Sequence, residues 1–129
     1  MSRGILADKV NKFDQVQIMK GGTAGENSKR YDTDGAIDPN TPIALLDSNN
    51  DSDSLAMTLG DPRFEGQEIV LIAEEADDQA NPDADHIVVT PTNLLGFSTI
   101  TLKVTGQSSH LKFVNGNWVV MGGNGQTLA

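Results

Sequence analysis

The chain of 129 residues has no cysteine, and aromatic residues make up only 5% of it. Without cysteine there is no disulfide, no thiolate nucleophile and no cysteine-ligated metal. The fold needs no oxidising compartment, and synthesis in a cytoplasm is expected. Basic residues are scarce as well: 9 Lys and Arg stand against 18 Asp and Glu, a formal net charge of -9. Nucleic acid is held by clustered bases that displace its counterions. Here Lys9, Lys12, Lys20, Lys29 and Arg30 are scattered towards the N-terminus and form no stripe, so no nucleic-acid partner is expected. No apolar run approaches the ~20 residues that cross a bilayer. The opening Met1-Ser2-Arg3-Gly4-Ile5-Leu6-Ala7-Asp8 also lacks the apolar centre of a signal peptide, and no membrane partner is expected. Hydrophobic content is 37%, low for a globular domain. A core this thin is commonly supplemented by oligomerisation.

What is present is a succession of short β-type runs. Ile43-Ala44-Leu45-Leu46 and Leu55-Ala56-Met57-Thr58-Leu59 precede Glu68-Ile69-Val70-Leu71-Ile72-Ala73, a nearly continuous apolar run expected to be buried on both faces. His86-Ile87-Val88-Val89-Thr90 ends at Pro91, and Ser98 to Val104 alternates polar with apolar. Leu111-Lys112-Phe113-Val114 and Trp118-Val119-Val120-Met121 flank Asn115-Gly116-Asn117. Asn-Gly between two apolar runs is the strongest short hairpin signal, because both residues tolerate the positive φ of a tight turn. Strands at this spacing predict an all-β fold, a small antiparallel β-sandwich or β-barrel. The expected layout is an N-terminal arm and linker over 1–30, the β domain over 31–123 and a tail over 124–129. The stretch from Tyr31 to Pro42 is expected to be irregular. The arm carries Ile5, Leu6, Val10 and Phe13 as apolar candidates for contact with a partner or another subunit, and Gly21 to Ser28 reads as a flexible hinge.

Each constellation of polar residues has an ordinary reading beside a functional one. Asp47-Ser48-Asn49-Asn50-Asp51-Ser52-Asp53 opens like a calcium loop but has Ser52 where the sharp turn wants glycine and Thr58 where the closing glutamate belongs. A solvated hairpin loop is the simpler reading, since Asp, Asn and Ser dominate turns. Glu74, Glu75, Asp77, Asp78, Asp83 and Asp85 form an acidic run. Acid–base catalysis would require two carboxyls in unlike environments, and a repelling, solvated surface is simpler. His110 follows Ser108-Ser109, but no Gly-x-Ser-x-Gly elbow accompanies it. Gly21-Gly22 and Gly122-Gly123-Asn124-Gly125 lack the Lys-Ser/Thr of a phosphate loop. Trp118 is either a core residue or a stacking platform for a sugar ring. No catalytic residue, metal ligand or cofactor site is expected, and the chain does not read as an enzyme.

The order Gly66-Gln67-Glu68-Ile69-Val70-Leu71, Val88-Val89-Thr90-Pro91-Thr92-Asn93-Leu94, Thr99-Ile100-Thr101-Leu102 and Leu111 to Val120 resembles small virion structural proteins of tailed bacteriophages, notably those of cyanobacteria. The resemblance spans about residues 43–123. It implies a trimeric β-module that decorates a capsid or caps a fibre, with no catalytic residues. The expected function is therefore a capsid decoration (cement) protein on the outer head surface of the virion, with the major capsid protein as partner. A receptor- or glycan-binding fibre knob is the alternative, and a calcium-dependent extracellular module is a third.

Overall fold

The computed structural model describes residues 27–48, 54–76 and 86–129. Ten strands run in order: β1 Ser28–Tyr31, β2 Gly35–Ile37, β3 Ile43–Asp47, β4 Leu55–Leu59, β5 Glu68–Glu75, β6 Ile87–Pro91, β7 Ile100–Leu102, β8 Ser108–Val114, β9 Asn117–Asn124 and β10 Thr127–Leu128. No helix occurs among the described residues. The strands form two sheets, β1-β3-β5-β8-β9 and β10-β7-β6-β4-β2. The protein is all-β, and the sheets are not closed into a barrel.

The sheets are mixed, which corrects the expectation of an antiparallel sandwich. From β1 to β6 the chain alternates between sheets, so β1, β3 and β5 lie parallel in one, and β2, β4 and β6 lie parallel in the other. Parallel neighbours need a crossover that returns the chain to its starting end. Here a strand of the opposite sheet serves as that crossover, and no helix is required. From β7 onward the pairing turns antiparallel, β7 on β6, β8 on β5, β9 on β8 and β10 on β7.

Alternation along the strands sets the core. Leu55, Met57 and Leu59 of β4 point inward and meet Ile69, Leu71 and Ala73 of β5, with Ala44, Leu46, Ile87, Val89, Ile100, Leu102 and Leu111 completing the layer. β5 alternates between buried and part-exposed positions; within one chain it is covered on one face only, not on both. The Asn115-Gly116 turn has φ of 51° and 81°, the doubly positive pair that matches the twist of a tight hairpin.

The ends of the domain also depart from expectation. Part of the stretch expected to be irregular, and part of the expected hinge, form β1 and β2. The expected tail begins inside β9 and ends with β10, which pairs with β7. In these segments pairing of backbone groups with a neighbour outweighs weak side-chain pattern.

Candidate functional site

The registers put the β2–β3, β4–β5 and β6–β7 connections and the β8–β9 hairpin at one end of the sandwich. The β1–β2, β3–β4, β5–β6 and β7–β8 connections lie at the other. The two ends differ sharply in chemistry.

The hairpin end is firmly built and exposes apolar side chains among the charged Asp38, Asp61, Arg63 and Glu65. Phe64 (67% exposed), Leu95 (57%), Phe97 and Val114 stand out from it. The loop carrying Phe64 is stitched to the hairpin: Gly66 N–H donates to Phe113 O at 2.7 Å, Phe113 N–H donates to Gln67 O at 2.9 Å, and Asn115 N–H donates to the Glu65 carboxylate. The loop carrying Leu95 runs along the outer edge of β9, where Trp118 N–H donates to Asn93 O and Leu95 N–H donates to Trp118 O. Trp118 ties the two loops together. Its ring is fully buried, edge-on to Phe113, and its indole N–H donates to Gly60 O at 2.9 Å. Asn93 Nδ2 also bonds both carboxylate oxygens of Asp61 at 3.0 Å. Trp118 is thus core and not a sugar platform.

The opposite end is acidic. Among the described residues Asp32, Asp34, Asp47, Glu74 and Glu75 lie there, with Arg30 and Lys103. Asp47 is buried, and Arg30 of β1 reaches it while its Nε meets Glu74 at 2.5 Å. The bond from Glu74, then the fields of Glu74 and Asp47, raise the Arg30 pKa. This clasp was not expected from sequence, since the partners lie far apart along the chain and no local pattern links them. Asp47 also departs from the expected solvated hairpin loop: it is buried and paired, and β3 and β4 belong to different sheets. Residues 49–53 lie outside the described residues, as do Asp77, Asp78, Asp83 and Asp85. Glu74 and Glu75 belong to β5 rather than to a loop. Among the described residues no group of His, Asp and Glu is placed to hold a metal ion.

His110 lies on the outer face of β8, its Nε2 at 2.6 Å from Glu68, while Ser109 beside it faces the core. His86 precedes β6, and its carbonyl accepts from Leu55 N–H. The arm candidates Ile5, Leu6, Val10 and Phe13 lie outside the described residues. Compared with known proteins, the chain matches no family model, and no curated protein is significantly similar to it.

Proposed function

We propose that this protein is a non-enzymatic virion structural protein of a tailed bacteriophage, a homotrimeric capsid decoration protein with the major capsid protein as partner. The observation that carries the reading is the two-ended chemistry. An attachment surface needs apolar side chains held on a rigid frame, and the hairpin end supplies Phe64, Leu95 and Val114 on loops fastened through Trp118. In this reading Ile5, Leu6, Val10 and Phe13 of the N-terminal segment add apolar contacts to the shell. The acidic end then faces outward, where charge keeps a particle soluble.

The test is co-sedimentation of the protein with heads assembled from the major capsid protein. Phe64→Ser with Leu95→Ser is expected to weaken binding at least tenfold, and removal of residues 1–20 to abolish it with the β domain still folded. Unchanged binding by both variants would defeat the reading. The alternative of a glycan-binding knob draws no support from Trp118, whose ring is buried.

A further inference from the structure

The outer face of the first sheet is apolar where a solvated face should not be. Ile43 and Leu45 of β3 and Val70 and Ile72 of β5 all point away from the core, since their neighbours Ala44, Leu46, Ile69 and Leu71 point into it. The register pairs Ile43 with Val70 and Leu45 with Ile72, so the four form two adjoining cross-strand rows, each side chain only partly covered. On β8 the next positions outward are His110 and Lys112, so the apolar rows are bordered by charge on that side. A strand apolar at successive positions is the pattern of a strand buried on both faces, and one chain covers only one.

We propose that this face is the surface through which copies of this chain associate, the partner being a second copy of the same protein. Charge singles out that partner. The chain as a whole carries -9, and identical acidic bodies repel. Around this face, however, both signs occur: Arg30, Lys112 and His110 stand with Glu68 and Glu74. A face with balanced charge and an apolar centre is where two copies meet without that repulsion, Lys112 or His110 of one facing Glu68 of the other. Size is adequate too. Strands of 4, 5, 8, 7 and 8 residues at ~3.3 Å per residue and ~4.8 Å spacing cover about 500 Å² in plan, near the ~600 Å² per partner at the lower end of stable interfaces. The proposal rests on the homotrimer reading only for the number of copies, and not for the face.

The test is light scattering of the full-length protein across a concentration series. Ile72→Glu and Val70→Glu are expected to weaken association at least tenfold, while Thr90→Glu on the outer face of the other sheet leaves it unchanged. Ile72→Thr, which keeps the β-branched shape, covers the case in which a charge prevents folding; it should fold, judged by Trp118 emission, and still associate more weakly. A monomeric parent at all concentrations, or a multimer indifferent to Ile72→Glu and Ile72→Thr, would overturn the proposal. A pair that dissolves on these substitutions would uphold the face and overturn the threefold count. A trimer that ignores them would overturn the face and leave the virion reading standing.

Discussion

The two sheets bury the same kind of residue inward and present opposite surfaces outward. Outside the first lie Ile43, Leu45, Val70, Ile72 and Val119; outside the second lie Ala36, Ala56, Thr58, Val88, Thr90, Thr101 and Thr127. Apart from Val88, the second set consists of small side chains and hydroxyls that lose little by meeting water, as on the solvated face of an ordinary sheet. The first set would gain from leaving it. Inward burial therefore tells little about which sheet has a partner, and the outward residue of each pair carries that information.

Substitution at adjacent positions of β5 separates the two roles most strongly. Leu71 is fully buried between the sheets, so Leu71→Ala should lower unfolding free energy by about 2–5 kcal/mol through lost burial and the cavity left behind. Val70 is its neighbour on the other face, and Val70→Ala in the dissociated chain should cost less than about 1.5 kcal/mol. Urea denaturation at concentrations below association measures both. Equal losses at the two positions would mean that Val70 already belongs to the core of the single chain. Next in size is Arg30→Met. It takes the guanidinium away from the buried Asp47 carboxylate, and losing the cation beside a buried carboxylate destabilises the fold. A clear fall in melting temperature is expected, with Lys29→Met, a neighbour with an exposed side chain, as the control. An unchanged melting temperature would show that the clasp is dispensable.

Legibility followed side-chain pattern. β3 to β6 and the β8–β9 hairpin could be read because each carries several inward apolar residues, and Asn115-Gly116 because few sequences tolerate its two positive φ values. β1 reads Ser-Lys-Arg-Tyr and β2 Gly-Ala-Ile. As edge strands with one pairing neighbour each, they place Tyr31 against the core and Ile37 in it, too little to show a period. The parallel order was hidden for another reason: alternation specifies which face of a strand is buried but not which strand lies beside it. At the hairpin end the turn was legible and Trp118 was left between core and platform, whereas the exposure of Phe64 and Leu95 depends on loops whose course is set by backbone bonds to β8 and β9. The Arg30–Asp47–Glu74 clasp joins residues 17 and 44 positions apart, beyond any local signal.

Phe64→Ser tests the opposite of a core residue. With its side chain in solvent, its loss should move the melting temperature by less than a core truncation does, within about 0.5 kcal/mol of unfolding free energy. A larger drop would mean that the apolar end supports the fold of the single chain and is not free for a partner.

The smallest expected effect concerns Asp38, in the β2–β3 connection between the sheets. Asn40 N–H donates to its carboxylate at 3.0 Å, and this bond, aided by Thr41 and Lys29 against the opposing effect of burial, holds the carboxyl below the usual range. A carboxyl whose pKa is lower folded than unfolded contributes stability above its unfolded value of about 3.9, and loses it as pH falls through the folded value. Asp38→Asn removes that titration, so the variant's stability should fall less steeply than the parent's below pH ~4. At neutral pH the Asn40 bond survives in weaker, uncharged form, and the two proteins should differ little. Melting curves between pH 2 and 7 check this. Parallel acid limbs for parent and variant would mean that the Asn40 bond holds the loop without favouring the ionised carboxyl.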